Sequence, residues 1–225
     1  MSNSNLIVML THNDVTVENA QALFAELKKL PVNFWGFKDI GLDTGLMKEL
    51  VAQMKAAGKT AFLEVVHYGE KECLEATELA LECNVDYLTG TIFYDSILDR
   101  VRTEDIKYFP FFGHIHGHPV LLSGSVDEIV NHGKQLEEKG VDGLDLVAYR
   151  YEQSEKAGEL VERCRKELGI PLISAGSINS WERLDETDRC KIWAFTIGSA
   201  FFEKKFVPDG SFEEQIMAVR GRLKG

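Results

Sequence analysis

The sequence contains few cysteines, and none of them is closely spaced. Its four cysteines are Cys73, Cys83, Cys164 and Cys190. A zinc ribbon or a disulfide framework needs cysteines at short, regular spacings, and no C-x-x-C pair occurs. We therefore interpret all four as reduced thiols of a cytosolic protein.

Long apolar runs are also missing. No stretch approaches the length of a membrane-spanning helix, so no membrane segment is predicted. The first residues, Met1–Asn5, carry no positive charge ahead of the apolar run and do not resemble a signal peptide. We expect a cytoplasmic protein with no membrane partner.

Positive charge is scarce relative to negative charge. Lysine and arginine total 25 against 36 aspartates and glutamates, giving a net charge of −11. This balance argues against nucleic acid as a partner. A small anionic ligand remains possible, because backbone amides and helix dipoles bind anions within acidic proteins.

Short apolar runs alternate with amphipathic stretches along all 225 residues. Many runs are rich in β-branched and aromatic residues, as buried parallel strands are. Eight βα units without a linker predict a single (β/α)8 barrel domain over residues 1–225; a doubly wound sheet is the alternative. The predicted strands are Asn5–Leu10, Asn33–Phe37, Thr60–Val66, Asp86–Leu88 (continuing toward Thr91), Tyr108–Phe112, Gly143–Ala148, Pro171–Ile173 and Trp193–Ile197.

Helix punctuation lies between these runs. Ser125 and Glu128 have the spacing of a capping box ahead of an apolar helix face. Three glycines follow helical stretches and precede strands, which is the position of a helix C-cap. They are Gly58, Gly140 and Gly169.

Charged residues interrupt three of the predicted strands or their ends. Active sites of (β/α)8 barrels lie where the strands end, and this places Lys38, Glu64, Asp145 and Arg150 toward one pocket. A lysine there can act as a clamp or form a Schiff base, and the two acids can move protons. The alternatives are a structural ion pair for Glu64, a buried acid holding a loop for Asp145, and a solvated loop lysine for Lys38.

The run "GHIHGHP" places three histidines at alternate positions. On an extended segment His114, His116 and His118 share one face and could bind a divalent metal. The other interpretation is a polar loop after the fifth strand, because Gly117 and Pro119 indicate a turn. His118, between these two residues, is predicted to face the pocket, and His118 and Arg150 are predicted to hold substrate oxygens.

Small residues end the seventh and eighth predicted strands. Gly176-Ser177 and Gly198-Ser199 occupy the positions at which many (β/α)8 enzymes bind phosphate. Glycine exposes its amide, serine adds a hydroxyl, and a following helix N-terminus favours the anion. Plain tight turns are the alternative.

These turns carry a family resemblance. The segments "SAGS" and "GSAFFEKKF" resemble the phosphate-binding turns of the ribulose-phosphate-binding barrel superfamily, especially the isomerase and cyclase of histidine biosynthesis. The resemblance implies phosphate binding at Gly176, Ser177, Gly198 and Ser199. It departs from that group after the first and fifth strands, where an aspartate is expected. "MLTHND" offers only Asp14, which is late enough to be a helix cap.

The sequence thus predicts an enzyme acting on a small phosphorylated, sugar-like carbonyl compound. The predicted reaction is proton abstraction beside the carbonyl, as in an isomerase, an epimerase or a carbon–carbon lyase of the aldolase type. No dinucleotide fingerprint occurs, and no cofactor or metal is predicted. The alternatives are a metal-dependent barrel using His67 with the histidine run, and a phosphometabolite-sensing barrel without turnover. A homo-oligomer remains possible.

Overall fold

A computed structural model of the protein describes residues 4–224. Within them, eight parallel strands close into a barrel in which each strand pairs with its neighbours in sequence. The strands are β1 (Asn5–Met9), β2 (Phe34–Lys38), β3 (Thr60–Glu64), β4 (Tyr87–Ile92), β5 (Lys107–Phe111), β6 (Leu144–Leu146), β7 (Leu172–Ser174) and β8 (Ala194–Ile197).

Helices follow the strands and surround the barrel. They are α1 (Ala20–Leu27), α2 (Thr44–Ala56), α3 (Glu70–Cys83), α4 (Asp95–Val101), α5 (Val126–Lys139), α6 (Ala157–Glu167), α7 (Trp181–Arg189), α8 (Ser199–Phe202) and α9 (Phe212–Lys224). None of the helices in the described part of the chain is long and apolar enough to cross a membrane.

The predicted (β/α)8 barrel is confirmed, and the doubly wound sheet is wrong because β1 pairs with both β2 and β8. Strand ends shift by one or two residues. The largest difference is at the sixth strand, which ends at Leu146 because the chain enters a 3-10 turn at Ala148–Arg150.

Two of the three glycine caps are confirmed. Gly58 and Gly140 have φ values of +69° and +89°, the left-handed conformation that ends a helix. Gly169 is not a cap, because Leu168 leaves α6 with extended backbone. The capping box of Ser125 and Glu128 is present.

Aromatic rings fill the barrel interior at the amino-terminal end of the strands. Phe62 stacks on Tyr87 at 4.3 Å between ring centroids, and Phe34, Phe109 and Trp193 pack around them. Such pairs add about 0.5–1.5 kcal/mol each beyond their buried area. This apolar plug closes one end of the barrel, so polar groups in the interior face only the opposite end.

Two short hairpins are inserted at that opposite end. The first joins Thr11–His12 to Val15–Thr16 after β1, and the second joins His114–His116 to Leu121–Ser123 after β5. Thr16 ties the first hairpin to β2, because its hydroxyl donates to the Lys38 carbonyl and accepts from the Lys38 amide, both at 2.8 Å.

Candidate functional site

A cavity of about 330 Å³ opens at the carboxyl end of the strands. That volume suits a small metabolite. The cavity brings together seven of the residues predicted for the site. They are Lys38, Glu64, Arg150, Gly176, Ser177, Gly198 and Ser199.

Lys38 and Glu64 face the barrel interior as neighbours on β2 and β3. Their backbones are paired in register, and Lys38 Nζ lies 3.4 Å from Glu64 Oε1. The side chains are only 5% and 11% exposed, respectively. A lysine and a carboxylate are therefore presented together at the floor of the cavity.

Asp14 completes this cluster, although its late position in the sequence suited a helix cap as one interpretation. That interpretation is wrong, because Asp14 lies in the turn of the first hairpin with φ of +63° and α1 starts only at Ala20. Its carboxylate accepts from Lys38 Nζ at 2.8 Å and from the Arg150 guanidinium at 2.9 and 3.0 Å. Asp14 thus joins β2 to the end of β6.

These contacts fix the charges of the cluster. Burial alone would raise the pKa of Asp14, but hydrogen bonds from Arg150 and Lys38 lower it to about 2. For Lys38, burial disfavours the charged form, yet the carboxylates of Glu64 and Asp14 raise its pKa above the ordinary value. Both groups are ionised at neutral pH.

Asp145 lies deeper in the barrel and behaves differently. It is 1% exposed, is not among the residues lining the cavity, and its Oδ1 has no hydrogen-bond partner among residues 4–224. Burial, reinforced by the negative charge of Glu64, raises the pKa of Asp145 well above its usual range. Its environment therefore favours the neutral form of the acid, beneath the cluster that it was predicted to join.

Asp145→Asn is expected to stabilise the fold at neutral pH. In the unfolded chain an aspartate ionises above about pH 3.9, whereas burial in the folded chain raises the pKa of Asp145 and favours its neutral form. Folding must then take up a proton, so the cost rises as pH increases above that value. The variant should gain roughly 1 kcal/mol at pH 7 and nothing near pH 4, measured by urea unfolding at both pH values. An equal loss of stability at both would contradict the neutral acid.

The two glycine–serine turns face the cavity from β7 and β8. Gly176 and Ser177 both have left-handed backbones, with φ of +76° and +58°. No residue in the described range accepts a hydrogen bond from their two amides, and Arg150 Nε donates to Ser177 Oγ at 3.2 Å. Free amides and a hydroxyl beside a guanidinium are donors that a phosphate accepts.

The second turn is held against the first hairpin. The Asn13 amide donates to Ser199 Oγ at 3.0 Å. A Cβ on Gly198 would lie 2.5 Å from Thr11 Oγ1, so only glycine permits this approach. The hairpin that carries Asp14 is thereby fixed to the turn predicted to bind phosphate.

The histidines lie outside the cavity. His118 is exposed and stacks on Tyr68 at 5.3 Å; the cavity is instead lined by Pro119 and the two residues after it. His118 therefore does not reach the pocket as predicted, because the hairpin turn directs its ring away. Its exposed position leaves it no contact with the Lys38 cluster.

The other histidines have separate partners. His114 Nδ1 lies 2.7 Å from Ser123 Oγ, His116 Nε2 lies 3.4 Å from Glu152, and His67 Nε2 lies 3.1 Å from Asp39. Across residues 4–224, no three histidine, cysteine or acidic side chains are grouped to hold a metal ion. Within the described residues, these histidines therefore do not form the ligand set that the metal-dependent alternative requires.

Comparison with known proteins rests on structure. No family model matches the sequence, and no curated protein matches it. Among solved structures, the chain is similar to N-acetylmannosamine-6-phosphate 2-epimerase from Clostridium perfringens, at 14% identity and a TM-score of 0.65, over 95% of this chain and 90% of that one. It is also similar to orotidine 5′-phosphate decarboxylase from Pyrococcus horikoshii, at 13% identity and a TM-score of 0.69, over 98% and 99%.

The chain shares the closed eight-stranded (β/α)8 barrel fold with these structures. The predicted resemblance is thus confirmed at the level of fold. A regulatory protein shares this fold as well: the glycerol uptake operon antiterminator regulatory protein from Listeria monocytogenes is 16% identical, with a TM-score of 0.60 over 88% of this chain and 94% of that one. Because these identities are low, the chemistry must be argued from the site itself.

Proposed function

We propose that this chain is an enzyme that moves a proton at the carbon beside the carbonyl of a small phosphorylated, sugar-like compound. The observation that carries the proposal is one cavity holding two chemically different ends. Lys38 and Glu64 form its floor, and the two glycine–serine turns form part of its wall.

The turns provide the phosphate end. Gly176 and Ser177 offer amides that have no protein acceptor within residues 4–224, and Ser177 and Ser199 offer hydroxyls. These donors carry no formal charge. Backbone amides and hydroxyls can nonetheless bind an anion, even in a protein whose net charge is −11. Two of the fold neighbours, the epimerase and the decarboxylase, have names that include a phosphorylated compound.

The cluster provides the proton-transfer end. Glu64 lines the cavity and is the proposed base, since Asp14 is engaged by two cations and is a weak base with a pKa of about 2. Lys38 has three N–H donors; Asp14 accepts from one of them, and Glu64 Oε1 lies 3.4 Å from the ammonium. A remaining N–H can donate to the substrate oxygen that becomes negative as the proton leaves. Asp145 is the proposed neutral acid behind them.

Borohydride treatment with substrate is expected to leave Lys38 unmodified. An imine requires an unprotonated amine, and the neighbouring carboxylates raise the pKa of Lys38. We therefore expect Lys38 to act as a cationic clamp. Peptide mass mapping after reduction checks this; a stable adduct on Lys38 would instead assign an imine and favour lyase chemistry.

Exchange of substrate protons with solvent tests the proposed function directly. Isomerases, epimerases and aldolases all remove a proton beside a carbonyl, so in D₂O they incorporate deuterium there. We would incubate the protein with a panel of triose, pentose and hexose phosphates and follow the signals by proton NMR. Exchange in at least one compound supports the proposal. Tight binding across the panel without exchange in any compound would favour the sensing barrel.

A further inference from the structure

Every cation that lines the cavity in the described structure is already paired. Lys38 Nζ lies 2.8 Å from Asp14 and 3.4 Å from Glu64. Arg150 makes a two-pronged contact with Asp14, at 2.9 and 3.0 Å. Such bidentate pairs are the strongest form of this interaction. Lys38 keeps an N–H donor for a substrate oxygen, but neither cation has an unbalanced positive charge to offset a second anionic group on a ligand.

The charge balance of the cavity wall points the same way. Its lining contains two cations, Lys38 and Arg150, and three carboxylates, Asp14, Glu64 and Glu203. The wall therefore contains one more carboxyl group than cations. A phosphate can still be accommodated by the neutral amides and hydroxyls of the turns, but a carboxylate elsewhere on the ligand would face Asp14 or Glu64 with no free cation. Juxtaposed like charges oppose binding strongly.

Asp14 is the residue that sets this balance. It is the carboxylate that touches both cations, and it lies on a hairpin outside the barrel sheet. The hairpin is fixed at two points, at Thr16 to β2 and at its turn, where the Asn13 amide donates to Ser199. The Asp14 carboxylate is therefore held in place across the mouth of the cavity.

We propose that Asp14 is a specificity-determining residue, which neutralises Lys38 and Arg150 and so restricts the substrate to phosphorylated compounds whose organic part is an uncharged hydroxy-carbonyl. Phosphorylated acids are excluded. This inference rests on the proposed function, because it assumes a phosphate at the glycine–serine turns and an organic part at the cluster.

Two probes of similar size separate the alternatives. Dihydroxyacetone phosphate has an uncharged organic part, and 2-phosphoglycolate carries a carboxylate instead. Calorimetric titration of the full chain at pH 7.5 should show dihydroxyacetone phosphate binding roughly tenfold more tightly or better. In Asp14→Asn, which frees both cations, this preference should shrink by about tenfold or reverse.

Two further variants control for folding. Arg150→Gln removes a cation while Asp14 stays, so the preference for the uncharged probe should widen. Asp185→Asn removes a carboxylate from an exposed pair with Arg222, and it should leave the preference unchanged. Thermal unfolding of each variant verifies that the fold is intact.

The outcomes distinguish the two proposals. If 2-phosphoglycolate binds the unmodified protein as tightly as dihydroxyacetone phosphate, or if the preference is the same in Asp14→Asn and Arg150→Gln, the role of Asp14 is overturned while the phosphate site stands. If neither probe nor inorganic phosphate binds any of the proteins, the proposed function fails and takes this inference with it.

Discussion

Glu64→Gln is expected to slow deuterium exchange by about 10²–10⁴-fold, the contribution typical of a positioned base. Glutamine has nearly the same shape and keeps an oxygen that can accept from Lys38, but it cannot remove a proton. The other acids near the floor cannot easily replace it. Hydrogen bonds hold the pKa of Asp14 at about 2, and Asp145 is not among the residues that line the cavity.

Exchange rates and probe affinity should be measured together for this variant. Affinity for dihydroxyacetone phosphate should change only a few-fold, because the phosphate turns are untouched. Glu82→Gln is the matched control, since Glu82 pairs with Lys48 on the surface, where both side chains are about half exposed. Exchange in Glu64→Gln at the unmodified rate would remove Glu64 as the base.

The position of Glu64 could be predicted because parallel strands impose strict alternation. A residue on the same face as Phe62 must point into the barrel, and the carboxyl ends of all eight strands meet at one rim. The same geometry places Lys38, Gly176 and Gly198 at that rim. The local sequence pattern and the closed barrel topology together are enough to predict the positions of these residues.

Asp14 and His118 could not be placed in this way. Both lie in the turns of short hairpins, with strands of two or three residues each. Such segments have too few residues for an alternating pattern, and their orientation depends on contacts made elsewhere in the fold. Asp14 is positioned by Lys38, 24 residues later, and Arg150, 136 residues later. The sequence offers only weak evidence for a functional Asp14, namely that the family it resembles has an aspartate after the first strand.

The protonation of Asp145 likewise depends on the whole barrel. The sequence shows an acid between two leucines on β6, which is compatible with a paired or an unpaired carboxylate. Its burial and the nearby charge of Glu64 raise its pKa, because both disfavour the ionised form. The glutamate–lysine pair at the cavity floor is thus backed by an acid whose burial favours the neutral form, and these environments suit separate proton-accepting and proton-donating roles.

Lys38→Met is expected to destabilise the fold by about 3 kcal/mol, because breaking a buried ion pair leaves a charge without compensation. Glu64 would lose its cation at a position where it is 11% exposed, with Asp145 nearby. Asp14 would lose less stabilisation, because it keeps its ion pair with Arg150. Exchange should also fall by about 10²–10³-fold, the usual effect of removing a donor to a developing oxyanion.

A double-variant cycle separates the charge effect from packing. If the loss comes from the stranded carboxylate, Lys38→Met/Glu64→Gln should recover at least about 1 kcal/mol of the unfolding free energy lost in Lys38→Met. Urea unfolding at pH 7 provides the four values. Lys48→Met, which breaks the exposed pair with Glu82, should show little change. Strictly additive losses would mean that Lys38 stabilises the barrel through its methylene chain, and the ion pair at the cavity floor would then contribute nothing to stability.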